Sequence, residues 1–355
     1  MRDRGLWACH LGPDLGGQGY GQVKLALMNE IIGRSSWAPI VFGTQAPDTG
    51  NAEILAHYGT DEQKRRYLEP LLNGEVFSCY SMTEPGGGAD PTLFTTRAVR
   101  DGDEWVINGR KWFSSNAKTA SFLIVMAVTD PDVSAYQGMS MFLVPAETPG
   151  VNIVRNTGLG TEPLDEGTHA YIHYEDVRVP AGAVLGGEGQ AFVIAQTRLG
   201  GGRIHHAMRT VGQCNKALEM VCERALSREV AGGLLADKQF VQGYIADTYA
   251  QLLQFRLMVL HVALGVSNEM PLASVLLAGP VMGLADGPTE VHKVTVARQV
   301  LRDRRPAEGE WPSQHIPTRL AEVRATYAEI LEHEVGTHER ADIRNARPRP
   351  ARCMV

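Results

Sequence analysis

Two nearby stretches of this chain carry the residues best suited to chemistry. Tyr80-Ser81-Met82-Thr83-Glu84-Pro85-Gly86-Gly87-Gly88-Ala89-Asp90 sets hydroxyls and carboxylates around a proline corner that runs into bare backbone. Glycine lets main-chain N–H groups come close to a ligand and takes positive φ without steric cost. A short way on, Asn108-Gly109-Arg110-Lys111-Trp112-Phe113-Ser114-Ser115-Asn116 offers aromatic faces beside hydroxyls. A Gly-rich loop next to such a strand makes a bed for a flat cofactor with polar edges. A third stretch, Leu284-Ala285-Asp286-Gly287-Pro288-Thr289-Glu290-Val291-His292, places a carboxylate just before a proline. Proline suits the first turn of a helix, and a carboxylate there caps it on energetic grounds alone. Asp286 could also serve as a base.

Other chemistries are poorly served. His205 and His206 are adjacent, so on a helix they point about 100° apart and do not share a metal. His333-Glu334-Val335-Gly336-Thr337-His338 has the wrong spacing to put two rings on one helix face. Neither a GxSxG elbow nor a Walker A loop is present. Gly16-Gly17-Gln18-Gly19-Tyr20-Gly21 has no apolar strand before it and so lacks the context of a dinucleotide fingerprint.

The elements that must position these residues fall into three zones. Residues 1–77 read as a helical domain. Leu25, Met28, Ile31 and Ile32 have helical spacing up to Gly33. Thr60 with Gln63 makes a capping box for a helix reaching Leu72 and Asn73-Gly74. Residues 78–187 read as a small β-barrel or sandwich, from short apolar runs at 122–128, 140–144 and 151–154 and alternation over 170–174 and 177–179. Asn108-Gly109 is expected to turn a hairpin. Residues 188–305 read as a helical bundle. Its helices cover Gln190–Arg228 with a break near Gly200-Gly201-Gly202, Asp237–Leu264, and Pro288 to about Arg302. The remainder, 306–355, is a tail with one amphipathic segment at 318–335 and a Pro/Arg-rich end. The fold class is thus α+β and multidomain.

Composition narrows the partners. The chain has 355 residues, 44% hydrophobic and 21% charged, as in ordinary globular proteins. A net charge of −6 argues against nucleic acid as a partner. No apolar run is long enough to span a membrane, and the N-terminus lacks a signal-peptide core. Five cysteines without a CxxC pair suit a reduced, cytoplasmic setting.

The order helical domain, β domain, helical bundle, with the Thr83-Glu84-Pro85-Gly86-x-Gly88-x-Asp90 loop and the late Asp286-Gly287 pair, resembles the acyl-CoA dehydrogenase family up to about Arg302. Leu199-Gly200-Gly201-Gly202-Arg203-Ile204-His205-His206 and the stretch around Asp286 resemble the branch that uses aspartate as base. That branch includes the dehydrogenase portion of vertebrate proteins acting on long or 4-hydroxylated acyl-CoAs. The resemblance implies FAD as cofactor, with Tyr80, Met82 and Thr83 lining the flavin and Gly88 and Ala89 beside the pyrophosphate and the CoA. Ala89 stands where the family usually has serine. Phe113 would take the place of a tryptophan against the ring, and Ser115 that of a hydroxyl residue meeting O4 and N5. Arg203 would meet the substrate's CoA, and Glu290 would follow the base on the helix over the flavin. Arg228, Lys238 and Gln239 would reach the FAD of a neighbouring subunit, which implies a homodimer or homotetramer.

The implied reaction is α,β-desaturation of an acyl-CoA thioester. Asp286 takes the α-proton while the β-hydrogen leaves as hydride to flavin, and an electron-transfer flavoprotein or similar acceptor removes the electrons. A free aspartate, with pKa about 3.9, is a weak base for this, so burial must raise it. The same fold could instead run other flavin chemistry, on hydroxyacyl-CoAs or nitroalkanes, or serve an impaired acyl-CoA-binding paralogue. Two departures motivate the last option. Family helices that precede the segment beginning at Met1 are expected to be missing. So is the third bundle helix, because Leu264 runs straight into Gly265-Val266-Ser267-Asn268, which resembles the sequence after that helix.

Overall fold

A computed structural model describes residues 1–15, 17–88, 90–158, 165, 167–264, 289–307 and 313–328. The chain forms two compact units, Met1–Asn215 with Leu252–Gly279, and Lys216–Gln251 with Pro280–Val355.

The first unit begins with short helices. Helix α1 (Gly21–Ile32) buries Leu25, Ala26, Asn29 and Ile32, a stripe at helical spacing. Ile31, expected on that face, is instead 70% exposed. Helix α2 (Asp48–Tyr58) buries Ala52, Ile54, Leu55 and Ala56. The Thr60–Gln63 capping box is present, and the helical run continues to Leu72.

Eight strands follow: β1 (Ser78–Ser81), β2 (Arg97–Asp101), β3 (Glu104–Ser115), β4 (Phe122–Val128), β5 (Met139–Pro145), β6 (Val151–Thr157), β7 (His169–Pro180) and β8 (Val184–Leu185). They form one sheet in the order β6-β7-β3-β1-β4-β5-β8, with β2 joined to both β3 and β4. Strand β4 is buried on both faces for a simple reason. Phe122, Ile124 and Met126 enter one core, shared with α2 and the start of the next long helix, whereas Leu123, Val125 and Ala127 enter a second with Trp105, Ile107 and Tyr174. Each of these side chains larger than Ala127 contributes roughly 1.5–3 kcal/mol by burial.

Two expectations need correcting. Asn108-Gly109 does not turn a hairpin: β3 runs through it unbroken, and the turn falls at Gly102, φ +62°. Gly109 is required for a different reason. Its φ is +152°, at a register shift against β7, and a Cβ there would lie 2.5 Å from Thr96 Oγ1. The break at Gly200-Gly201-Gly202 is also absent, since α3 (Ala191–Ser227) is continuous. Each glycine costs about 1 kcal/mol in a helix, and the flanking buried residues Ile194, Ala195, Met208 and Val211 outweigh that.

Helix α3 continues into the second unit. There the ribbon Glu229–Val230 with Gly233–Leu234 leads to α4 (Gln239–Leu264), whose last part returns to the first unit. Helices α5 (Thr289–Arg302) and α6 (Ile316–Thr326) complete the second unit, with Lys293 paired to Asp247 at 3.0 Å and Arg304 to Glu219 at 3.1 Å. The 265–288 segment, where the absent third helix was expected, lies outside the described residues, as does the Pro/Arg-rich end. Among the described residues no helix is long and apolar enough to cross a membrane.

Candidate flavin-binding site

The loop after β1 is held from beneath by β3. Lys111 is fully buried, and its Nζ donates to the Met82 carbonyl at 2.7 Å and to Glu84 Oε1 at 2.9 Å. Glu84 in turn accepts from Thr95 N, Thr95 Oγ1 and Thr96 N. The Trp112 N–H donates to the Thr83 carbonyl at 2.8 Å. Thr83 is therefore fixed on both sides by neighbours that Lys111 grips and by its own bond to β3.

Burial opposes the charge on both members of this pair. Glu84 keeps its carboxyl below the ordinary range, because the Lys111 charge and four donors outweigh burial. Lys111 has Glu84, one carbonyl and the face of Phe94, 4.7 Å from Nζ, in return, and burial still pushes it down to about 8.

Beyond Thr83 the backbone is open at Gly86 and Gly88, while Gly87 lies against Phe94. Gly88 has φ +52°, and a Cβ added to it or to Gly86 would meet nothing within 4 Å. On the neighbouring strand a bulge between Lys111 and Ser114 turns Phe113 outward, at φ +55° and 45% exposed. A bulky residue in that region stores backbone strain of about 1–3 kcal/mol and marks functional sites. The Phe113 ring lies parallel to Trp112, with centroids 4.8 Å apart. Trp112 is itself held by Nε1–H to Thr157 Oγ1 at 3.0 Å.

Ser115 pairs with Tyr80 on one side and with His169 on the other. Below them Ser81 Oγ joins Ser114 Oγ at 2.9 Å and the Tyr174 hydroxyl at 2.8 Å, a buried knot that locks β1 to β3 and β7. The Tyr80 ring lies under the Arg198 guanidinium, 3.7 Å from its Cζ. From Arg198 a buried chain runs inward. Arg198 Nε donates to Asn51 Oδ1, Asn51 Nδ2 to Ser78 Oγ, and Ser78 Oγ to Asp48 Oδ1, which also accepts from Ser78 N.

The remaining expected site residues fall elsewhere. Arg203 is exposed on α3. Arg228, Lys238 and Gln239 belong to the second unit and gather around its ribbon. Arg228 and Gln239 are exposed, and Lys238 Nζ donates to the Ala231 carbonyl at 3.3 Å. Glu290 lies in the first turn of α5. Ala89 and Asp286 lie outside the described residues. Tyr80, Met82, Thr83, Phe113 and Ser115 are brought together with Gly88 at the end of their loop. His169, Arg198 and Asn51, which also belong here, carry no motif. The only signal for His169 is its alternation with Tyr171 and His173 along one strand face.

The comparisons agree with this layout. Acyl-CoA dehydrogenase profiles match over residues 1–75 for the N-terminal domain, 79–177 for the middle domain and 189–269 for the C-terminal domain. These domains define a class of flavin-dependent oxidoreductases. The chain belongs to the acyl-CoA dehydrogenase family. FadE2 of Mycobacterium tuberculosis is 39% identical over 344 residues, covering 84% of this chain and 83% of its own. Acyl-CoA dehydrogenase family member 11 of Gallus gallus is 40% identical over 326 residues, covering 79% of this chain but 42% of that protein. The chain thus spans less than half the length of that relative. A solved Mycobacterium abscessus protein assigned to the acyl-CoA dehydrogenases is 38% identical with a TM-score of 0.69, covering 85% of this chain and 84% of that one. A Mycobacterium smegmatis glutaryl-CoA dehydrogenase in complex with FADH2 shares the fold at 24% identity.

FAD is the cofactor of this family. The bed described above fits it: an outward aromatic face, a hydroxyl at its edge, and unobstructed backbone at Gly86 and Gly88 beyond a rigidly held threonine.

Proposed function

We propose that this chain catalyses α,β-desaturation of an acyl-CoA thioester. The observation that carries the reading is the loop from Met82 to Gly88, clamped by Lys111 and flanked by the outward Phe113 ring. Thr83 and the Gly88 backbone would hold the isoalloxazine edge and the pyrophosphate, with Phe113 packed against the ring and Ser115 at its polar rim. When bound, FAD supplies the acceptor for the hydrogen that leaves the β-carbon as hydride. Asp286 takes the α-proton. Hydrogen bonds to the thioester oxygen in a water-poor site stabilise the charge that develops there. Arg203, exposed on α3, meets the CoA.

In the same reading Arg228, Lys238 and Gln239 reach the FAD of a second subunit, making a homodimer or homotetramer. The electrons pass to an electron-transfer flavoprotein or similar acceptor, as part of β-oxidation in the cytoplasm. The domain division stays at 1–77, 78–187, 188–305 and 306–355.

The test is anaerobic mixing of the FAD-loaded chain with a panel of plain and hydroxylated acyl-CoAs. Bleaching of the visible flavin band by an acyl-CoA, lost in Asp286→Asn, supports the reading. An unchanged rate in Asp286→Asn removes Asp286 from its role.

A further inference from the structure

Ser115 Oγ lies 2.8 Å from His169 Nδ1. The two residues are direct partners across β3 and β7, and Tyr80 pairs with Ser115 from the other side. Both Ser115 and His169 are half-buried. The second ring nitrogen of His169, Nε2, makes no hydrogen bond among the described residues. Around the imidazole stand the Phe113 ring, at 6.5 Å between centroids, and Thr157, its partner on β6. The charged groups of this neighbourhood are engaged elsewhere. Lys118 pairs with Asp165 at 3.1 Å, and Arg155 lies over Trp112 and Tyr171. Among the described residues His169 makes no ion pair.

We propose that His169 is a positioning residue that sets which way the Ser115 hydroxyl points, and so whether Ser115 donates or accepts a hydrogen bond at the flavin edge. This rests on the reading above that Ser115 meets that edge. The argument is one of proton inventory. A hydroxyl has one proton and two lone pairs and reverses its polarity by rotation alone, whereas an imidazole nitrogen is a donor or an acceptor according to its protonation. With Nδ1 bare, the ring accepts the Ser115 proton and a serine lone pair faces outward. With Nδ1 protonated, the ring donates to Ser115 Oγ and the hydroxyl proton turns outward. Either tautomer of the neutral ring supplies one of these two arrangements, and Nε2, unbonded among the described residues, can carry the ring proton when Nδ1 is bare. No covalent bond to carbon forms or breaks. A flavin edge that accepts hydrogen bonds when oxidised gains a donor when reduced, and a hydroxyl of reversible polarity serves both.

A hydrogen bond that merely ties β3 to β7 leaves the cofactor's electronics alone, so the test follows the bound flavin at one fixed pH. The full chain, His169→Asn, His169→Gln, Ser115→Ala and the double variant His169→Asn/Ser115→Ala are loaded with FAD, and the visible spectrum and midpoint potential of the flavin are recorded. The expected result is that His169→Asn shifts both, and that adding it to Ser115→Ala shifts neither further. The two histidine variants should still bind FAD, with dissociation constants within about tenfold, or 1.4 kcal/mol, of the parent. Should His169→Asn lose its fold by circular dichroism, His169→Gln decides the question. The proposal is overturned if a folded histidine variant keeps the parent's spectrum and potential, or if it shifts them equally with Ser115 absent. An unaltered chain that binds no FAD overturns the flavin reading itself.

Discussion

Replacing Lys111 by methionine tests how the cofactor loop is built. The side chain is 0% exposed and its two acceptors are Glu84 and the Met82 carbonyl. Methionine fills similar volume, so packing loss is small. What remains is a buried Glu84 carboxylate without its cation, and removing one member of a buried pair costs about 3–5 kcal/mol. The Met82 carbonyl also loses its donor, worth about 1 kcal/mol. The double variant Lys111→Met/Glu84→Gln removes both charges, while the side-chain amide oxygen it introduces can still accept from Thr95 and Thr96. It should regain about 2 kcal/mol of the loss, because an uncompensated charge is costlier than none. Urea unfolding followed by tryptophan fluorescence reads this directly, since Trp105 and Trp112 lie on the same strand as Lys111. FAD affinity should fall in parallel as the Thr83 backbone loosens. A single variant that loses less than about 1 kcal/mol, or a double variant weaker than the single, would refute the clamp.

Three further outcomes are expected. Phe113→Gly should relieve the strain at φ +55° and leave the apo chain as stable or up to about 1 kcal/mol more so, yet weaken FAD binding measured by fluorescence quenching; unchanged affinity would remove Phe113 from the bed. Asn51→Ala breaks the chain from Arg198 to Asp48 and should cost roughly 1–3 kcal/mol in thermal or urea unfolding. Acid should destabilise the first unit. The ring nitrogens of His10 and Nε2 of His205 are sealed and without partners among the described residues. Burial, reinforced by mutual repulsion for His10 and by Arg209 for His205, holds them down to about 3 and about 4, against an ordinary 6.5. Below 6.5 the unfolded chain therefore gains two protons that the folded chain refuses. Glu53 works the other way between 4.5 and about 7, holding a proton in the folded chain, though solvent screens it. With one unit opposing two, stability should fall by about 1.4 kcal/mol for each unit of pH lost where Glu53 opposes fully, and by up to about 2.7 kcal/mol where it does not. His10→Gln should flatten that slope in urea titrations at successive pH values.

Local features of this chain were readable before its fold, and distant pairings were not. The Thr60–Gln63 capping box needs only three residues of context, and the apolar run of β4 and the alternation in β7 need a few more. Asn108-Gly109 misled because a dipeptide reports that positive φ is available, not why. Here the reason is Thr96 lying against Gly109, a neighbour that only the sheet supplies. The run Gly200-Gly201-Gly202 failed to break α3 because tertiary burial on both sides outweighs local propensity. The cofactor loop was visible as composition, yet its rigidity comes from Lys111, whose partner is 27 residues away. Arg198 finds Asn51 across 147 residues, and nothing in either local sequence announces the other.

The central claim, that the loop from Met82 to Gly88 is the flavin bed of an acyl-CoA desaturating enzyme, is tested most directly by anaerobic acyl-CoA titration of the FAD-loaded chain. The account predicts bleaching of the visible flavin band with formation of the 2-enoyl-CoA, and loss of both in Asp286→Asn. A chain that carries FAD yet is bleached by no member of an acyl-CoA panel would contradict it.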